Sequence, residues 1–472
     1  MLLILACSHV RFHWSLEVYE NERIGYVFKD RSLLELALTH PSYRTNYGTN
    51  ADHARNTDNN EMNKGFHTLM EIMSKLGSRK VEQSPLNHNE RLEFLGDAVI
   101  EFITTIHLFY MFTELDEGGL ATYRSTMVQN KNLACLAKVI FMLYAHGPDL
   151  CHESDLRHAM ANAFEAMMAA IYLDAGIDQC DRIFGNAMFG DNKDLLNAWF
   201  ELEEHPLKRD NPYGDRHLIK EVPSLQLLTE FEKSIGITFK HIRVLAKAFT
   251  RRNIGFNNLT LGHNQRLEFL GDTVLQLITT DYLYKHFPMH HEGHLSILRT
   301  CLVSNKTQSV ICDDIGMTKY LVMPKAIKKN GIPILRIKDK ADLVESFLGA
   351  LYVDRGLGYC KIFCRVCFFP RLKYFIVSQR WNDPKSQLQQ CCLTLRQMDG
   401  DEPDIPEYRT IAVEGPTNTR LYKVAVYFRS FSGFIVVFFK ILSDTFLVCI
   451  YRYYQSFVIM NIRRKRLAVG SG

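Results

Sequence analysis

The sequence predicts a mainly α-helical protein in which one helical domain occurs twice in tandem and is followed by a small α+β module. Three observations support this fold class: an internal repeat of two long segments, apolar residues that recur at intervals of three and four, and a change of pattern after Trp381. Leu92, Leu95, Val99 and Phe102 show the interval, which is typical of helices that bury one face. Each copy is therefore predicted to be a bundle of helices.

Composition limits the possibilities without identifying a function. The chain has 472 residues, enough for about three domains of roughly 150 residues. Hydrophobic residues make up 47% and charged residues 23%, which excludes a wholly disordered chain, a collagen and a coiled-coil rod. The 56 basic and 52 acidic side chains leave a net charge of +4, too small by itself to indicate a nucleic-acid partner.

The internal repeat is clearest in residues 89–100 and 264–275, which share Arg-Leu-Glu-Phe-Leu-Gly-Asp and are related by a shift of 175 positions. The first copy holds about 36 additional residues before this segment, which we assign to an insertion at about 44–87. The predicted organisation is a first domain at 15–200, a linker at 201–222, a second domain at 223–376, a partial α+β module at 381–429 and a divergent apolar tail at 430–472.

The third module begins with a helix start at Asp383 and Pro384, since these residue types favour the cap and first position of a helix. Predicted strands follow at 405–410 and 421–428, on either side of a Gly415-Pro416 turn. In the tail, uncharged stretches reach at most ten residues. A membrane span needs about 18 or more, so we expect no association with a membrane.

The twelve cysteines have irregular spacings, and Met1–Val10 lacks the features of a secretory leader. We therefore expect an intracellular chain with reduced thiols. Cys360, Cys364 and Cys367 lie at helical spacing beside phenylalanines, which favours buried core thiols. A zinc site there is the less favoured alternative, because no fourth ligand follows at a suitable spacing.

Paired carboxylates are the candidate chemistry. Glu93 and Asp97 lie four residues apart on one predicted helix face, where like charges destabilise a helix by about 0.2–0.5 kcal/mol. Gly96 between them costs about 1 kcal/mol relative to alanine. The second copy repeats all three features at Glu268, Gly271 and Asp272. Because stability alone favours none of them, the duplication indicates a shared function.

A second helix supplies further acid at Asp342 and Glu345, in surroundings too apolar for uncompensated carboxylates. If this helix packs on the helix that carries Glu268, four carboxylates converge. Oxygen ligands without thiol or imidazole favour Mg²⁺ or Mn²⁺ over zinc. The structural alternative is a set of ion pairs with four arginines, namely Arg91, Arg124, Arg266 and Arg299.

Glu-Arg-Leu-Glu-Phe-Leu-Gly-Asp at 90–97 resembles the signature of the ribonuclease III family, and the tandem arrangement is similar to its two-domain class. The resemblance implies two all-α ribonuclease III domains that pair as an intramolecular dimer, followed by a partial double-stranded-RNA-binding domain. It places the catalytic, metal-binding acids of the second copy at Glu268, Asp272, Asp342 and Glu345. In the first copy the metal-binding positions fall on Glu93, Asp97, Asn162 and Glu165, of which the three carboxylates are also catalytic. Asn162 departs from the family pattern; an amide ligates a cation without charge, so the first site is expected to bind metal more weakly.

The same resemblance implies a Mg²⁺-dependent endoribonuclease, with Mn²⁺ as a substitute, that cuts both strands of hairpin RNA and leaves 5′ phosphates and short 3′ overhangs. A double-stranded-RNA-binding cofactor protein and a nuclear location follow from it as expectations, and Arg463-Arg464-Lys465-Arg466 is a weak nuclear signal. The RNA groove needs positive charge, for which the candidates are Arg124, Lys131, Arg299 and Lys306.

RNA-binding positions of the third module fall, by the same resemblance, on Ser386, Gln389, Gln390 and Asn418. The Lys-rich helix that normally follows is not recognisable after Arg429, so this module is expected to bind RNA poorly. A non-catalytic RNA-binding or assembly subunit therefore remains the alternative function. A Dicer-like enzyme is a third possibility, disfavoured because no helicase motif precedes the repeats.

Overall fold

A computed structural model of the chain describes residues 16, 19–41, 88–137, 153–254, 256–322 and 335–378, and strands at 328–329, 332–333, 407–414, 421–427, 447–450 and 458–461. The chain divides into two compact units. One comprises Met1–Tyr47 and Ile72–Tyr374, and the other comprises Gly48–Glu71 and Phe375–Gly472.

The first copy is helical throughout its described part, as predicted. After a π-helical turn at Tyr19–Ile24, its helices are α1 Arg31–Ala37, α2 Glu90–Met111, α3 Glu117–Met127, α4 Asn130–Leu136, α5 Glu153–Ala175, α6 Ile177–Phe189 and α7 Lys193–Phe200. The insertion predicted at about 44–87 lies outside the described residues.

The second copy repeats this order. Short helical turns at α8 Pro206–Arg209 and Arg216–Lys220 lead into α9 Pro223–Ile235, α10 Ile242–Ala248, a turn at Arg252–Ile254, α11 Gln265–His286, α12 Glu292–Val303, α13 Asn305–Asp314 and a turn at Met317–Tyr320. The small hairpin of β1 Lys328–Lys329 and β2 Ile332–Pro333 precedes α14 Ile337–Arg355, α15 Leu357–Cys367, a turn at Phe369–Arg371 and α16 Leu372–Ser378. The two signature helices, α2 and α11, have the same length of 22 residues.

The second unit contains two antiparallel strand pairs in its described part. β3 Glu407–Glu414 pairs with β4 Leu421–Tyr427, and β5 Leu447–Ile450 pairs with β6 Val458–Asn461. The first pair overlaps the two strands predicted at 405–410 and 421–428, although β3 continues to Glu414. The helix predicted after Asp383 lies outside the described residues, and the RNA-binding assignment of this module stays a prediction.

The segment predicted as a linker is a structured part of the second copy. The buried carboxylate of Asp215 accepts a hydrogen bond from the backbone N–H of Arg243, 3.2 Å away, at the first turn of α10. Arg216 forms an ion pair of 2.8 Å with the buried carboxylate of Glu232 in α9. Both contacts fix the entry to the second copy, and the first is favoured further because a negative charge is stabilised at the amino end of a helix.

Glycine brings the two site-bearing helices of each copy into backbone contact. A Cβ on Gly271 of α11 would lie 1.8 Å from the carbonyl oxygen of Glu345 on α14, and a Cβ on Gly349 would lie 2.1 Å from that of Leu267. In the first copy, a Cβ on Gly96 would lie 1.8 Å from the carbonyl oxygen of Glu165. The glycine that the sequence made conspicuous is therefore required by this close approach.

The two copies pack through their signature helices, which run antiparallel. Arg91 at the start of α2 donates hydrogen bonds to the carbonyls of Tyr284 at 2.9 Å and Phe287 at 2.8 Å, at the end of α11. Arg266 at the start of α11 donates in return to Phe109 at 2.6 Å and to Phe112 at 2.7 Å. Each arginine thus satisfies terminal carbonyls of the opposite helix, where a cation is favoured by the helix dipole.

Helix α2 is the one described helix that is long and apolar enough to cross a membrane, by length and composition alone. Of its most apolar window, 72% is buried inside the protein. Because α2 packs between α5 of its own copy and α11 of the other, its apolar character belongs to the core.

The close approach of α11 and α14 makes a prediction for stability. Replacing Gly271 with alanine forces backbone apart, so we expect the free energy of unfolding to fall by about 1–3 kcal/mol or more in urea denaturation. Gly358→Ala is the matched control, because a Cβ there meets nothing within 4 Å. In a helix that substitution is neutral to stabilising. Equal stability of the two variants would contradict the proposed role of Gly271.

Candidate active site

Three carboxylates of the second copy converge between α11 and α14. The ligand oxygens of Glu268, Asp342 and Glu345 all lie within 4.8 Å of one another. The fourth predicted member, Asp272, follows Glu268 by one helical turn and lies outside that trio, although its charge still acts on Glu345. The sequence-predicted tetrad is therefore present as a compact trio with one neighbouring carboxylate.

Gln308 on α13 fixes one member of the trio and was missed by the sequence analysis. Its side-chain amide donates to Glu345 at 2.6 Å and to the carbonyl of Val303 at 2.9 Å. The corresponding residue of the first copy is Leu133. The sequence signal for Gln308 was an amide at a position where the first copy has a buried leucine. This difference distinguishes the two sites.

Burial and neighbouring negative charges raise the pKa values of these carboxylates. Burial raises the pKa of Glu268 to about 8, with the neighbouring charge of Asp342 acting in the same direction. Burial also raises the pKa of Glu345 well above its usual value, and the charge of Asp272 raises it further, while the hydrogen bond from Gln308 lowers it. Like charges held together out of water favour protonation unless a cation neutralises them.

The first site has the same arrangement of helices, with an amide at one of the positions that the second site fills with a carboxylate. Asn162 on α5 donates a hydrogen bond to Glu93 on α2, which lowers the pKa of Glu93. Burial outweighs that bond and raises the pKa of Glu93 to about 8 and the pKa of Glu165 to about 9. The charges of Asp97 and Glu93 both add to the rise at Glu165.

The donor set of the second site fits a hard divalent cation. Its ligand atoms are carboxylate oxygens, and the described part of the chain places no histidine or cysteine among them. Mg²⁺, Mn²⁺ and Ca²⁺ take such ligands, whereas zinc favours nitrogen and sulfur. The cysteines fit the core interpretation, since Cys360 and Cys364 are buried and Cys367 is half-buried, all as free thiols.

In the described structure, none of the four arginines forms an ion pair with Glu268, Asp342 or Glu345, which weakens the structural alternative of ion pairs. Arg91 and Arg266 bind backbone carbonyls of the opposite copy, as described above. Arg299 lies 3.8 Å from Asp97, and Arg124 lies 3.4 Å from Glu101. Among these four, Arg299 alone forms an ion pair with a predicted site carboxylate in the described structure.

Two of the four cations predicted to line an RNA groove are placed differently. The side chains of Arg124 and Arg299 are only 18% and 21% exposed and contact the opposite copy, so their part in RNA binding stays a prediction. Lys131 and Lys306 are exposed and remain available to a polyanion. The RNA-binding positions predicted in the third module, Ser386, Gln389, Gln390 and Asn418, lie outside the described residues.

A duplicated helical bundle whose facing helices hold buried carboxylates defines a class of protein with an acidic divalent-cation site. Residues 265–356 match the family described as Ribonuclease III domain, and residues 77–191 match the family described as Ribonuclease-III-like. The chain belongs to the ribonuclease III family.

Curated relatives agree with this membership. A protein named Ribonuclease 3 from Mus musculus is 53% identical over 451 residues, which cover 91% of this chain and 32% of that protein. Its namesake from Caenorhabditis elegans is 52% identical over 448 residues, covering 91% and 40%. Ribonuclease 3 from Enterococcus faecalis is 36% identical over 204 residues, covering 43% and 85%. The chain thus spans about a third of the length of the mouse relative.

The raised pKa values predict how metal and pH affect stability. Glu93 and Glu268 ionise near pH 8 in the folded chain but near pH 4.5 when unfolded. Their protonation therefore stabilises the fold at low pH, and this stabilisation is lost as the pH rises from about 4.5 to 8. In EDTA, we expect the melting temperature of the Glu93→Gln/Glu268→Gln variant to gain about 2–4 °C on that of the wild type between pH 5.5 and 8.

Mg²⁺ at pH 8 is expected to raise the melting temperature of the wild type more than that of the variant, because only the wild type keeps both carboxylates. The exposed Glu230→Gln serves as the control and is expected to follow the wild type. If the melting temperatures of the wild type and the double variant differ by the same amount at every pH, with and without Mg²⁺, the pKa values of these carboxylates are not raised.

Proposed function

We propose that this chain is a Mg²⁺-dependent endoribonuclease specific for double-stranded RNA, and that it cuts hairpin precursors in microRNA processing as Drosha-like members of its family do. The convergence of Glu268, Asp342 and Glu345 within 4.8 Å is the observation that carries the proposal. Membership of the ribonuclease III family supports the substrate class.

The site residues have two roles: the carboxylates provide ligand oxygens for cations, and Gln308 positions one of these carboxylates. Glu268, Asp342 and Glu345 provide the oxygens that would bind divalent ions, with Asp272 one turn away. When bound, such ions lower the pKa of a water and stabilise the leaving oxygen of a phosphodiester. Gln308 keeps the Glu345 carboxylate in place by its 2.6 Å hydrogen bond, which limits reorganisation of the site during the reaction.

The duplication supports one cut per strand. Two related sites lie on antiparallel signature helices, and a duplex presents two antiparallel strands. A-form RNA is recognised through its backbone and 2′-hydroxyls, so such a pair of sites needs no base readout. The first site has an amide at Asn162 instead of a carboxylate, which favours weaker cation binding there than at the second site.

The proposal is tested with a hairpin RNA labelled on either strand. The wild type is expected to cut both strands with Mg²⁺ and neither with EDTA. Glu268→Gln and Glu345→Gln should each slow cleavage of one strand by about 100-fold, since each removes a charged ligand, and Glu165→Gln should slow the other. Glu230→Gln, at an exposed surface pair, should leave both rates unchanged.

Binding without cleavage would favour the alternative function. If the wild type binds the hairpin but leaves both strands intact with Mg²⁺ and with Mn²⁺, the chain is an RNA-binding or assembly subunit. Cleavage that persists in Glu345→Gln would instead separate the activity from this carboxylate site.

We also propose that the chain acts in the nucleus together with a double-stranded-RNA-binding cofactor protein, as the nuclease of the Microprocessor does. The family resemblance and the basic run 463–466 support this placement. Cell fractionation of the wild type and of a variant with alanine at all four positions is the test, and a cytoplasmic wild type would contradict it.

A further inference from the structure

Arg124 belongs to the first copy but contacts the site-bearing helix of the second. From α3 its guanidinium donates to the Thr273 hydroxyl at 2.8 Å and lies 4.5 Å from the centre of the Phe269 ring. Thr273 directly follows Asp272, and Phe269 directly follows Glu268. A side chain of the first copy therefore contacts the turn of α11 that carries two carboxylates of the second site.

Arg299 makes the reverse connection. From α12 of the second copy its guanidinium lies 4.6 Å from the centre of the Phe94 ring and 3.8 Å from a carboxylate oxygen of Asp97. Phe94 directly follows Glu93, as Phe269 follows Glu268. The shift of 175 positions that relates the two copies also relates Arg124 to Arg299. Each copy therefore has an arginine at the same position that contacts the other copy.

Each arginine is also held by its own copy. Arg124 lies 3.3 Å from the Thr105 hydroxyl and 3.4 Å from Glu101, and Arg299 lies 3.4 Å from the hydroxyl of Thr280. A guanidinium can stack on a ring and donate in its plane at the same time, whereas an ammonium cannot. Both side chains thus join a fixed point in one copy to the reactive turn of the other.

The exposure of the two arginines agrees with these contacts. With only about a fifth of each side chain exposed, these cations have little surface left for RNA.

We infer that Arg124 and Arg299 are exchanged positioning residues: each belongs to one copy and orients the carboxylate-bearing turn of the other copy's site. The inference rests on the proposed function, since it concerns how the two sites are assembled for cleavage. Its consequence is that a substitution in the first copy slows the strand cut by the second copy, and the reverse.

Strand-specific kinetics test this exchange on the whole chain. Glu345→Gln and Glu165→Gln first identify which strand of a labelled hairpin each site cuts. Arg124→Met is then expected to lower kcat by about 10-fold or more on the second-site strand, since small misplacement of reacting groups is costly, with the other strand within about twofold. Arg299→Met should show the opposite pattern, and KM for the RNA should stay unchanged in both.

Two further variants separate positioning from folding. Arg124→Lys keeps the charge and should recover part of the lost rate on that same strand. Arg124→Met/Glu101→Gln removes the unpaired carboxylate, using the glutamine that the second copy has naturally at Gln276, and should show the strand pattern of Arg124→Met. Melting by circular dichroism confirms that each variant is folded.

Equal slowing of both strands by Arg124→Met and by its double variant would overturn the inference, because a merely structural role at the interface affects both sites. Slowing confined to the strand cut by the arginine's own copy would overturn it too. A wild type that cuts neither strand with Mg²⁺ overturns the proposed function and removes the inference with it.

Discussion

The backbone contact between the two site-bearing helices of each copy is the constraint on which the rest depends. Gly271 lets α11 approach the backbone of α14 at Glu345. In the same way, Gly96 lets α2 approach the backbone of α5 at Glu165. Helices this close leave little room for water. The carboxylates beside the contact are therefore buried together, which raises their pKa values and makes a divalent cation their natural counter-charge.

Duplication has kept this contact while the two sites have diverged around it. The second site has Asp342 and a hydrogen bond from Gln308 to Glu345, whereas the first has Asn162 and Leu133 at the related positions. An amide ligand lacks the charge of a carboxylate, and a leucine cannot hold one. The same architecture thus surrounds two sites with different sets of ligand atoms.

The contact between the copies is built from cations that meet helix ends and site turns. Arg91 and Arg266 satisfy terminal carbonyls of the opposite signature helix, and Arg124 and Arg299 reach past them to the turns that bear the acids. The interface and the two sites therefore share structural elements. The packing of the copies therefore also determines the surroundings of the turns that bear the acids.

The sequence by itself determined the helical class and the duplication, and it singled out the three second-copy carboxylates that the structure brings together. Apolar periodicity and a repeated motif are local properties of the sequence. The destabilisation of a helix by Gly96 between two like charges can likewise be recognised from the sequence alone. The same reasoning predicted Cys360 and Cys364 as core thiols, which the structure confirms.

Only the tertiary structure decided which partner each polar side chain finds. Gln308 and Glu345 are 37 positions apart, and Arg124 and Thr273 are 149 apart, so no local pattern joins them. Arg124 and Arg299, two candidates for RNA contact, pack on the opposite copy for the same reason, since a cation is equally suited to phosphate, carbonyl or aromatic ring. The choice among these is made by the packing of the two copies, which a linear pattern does not encode.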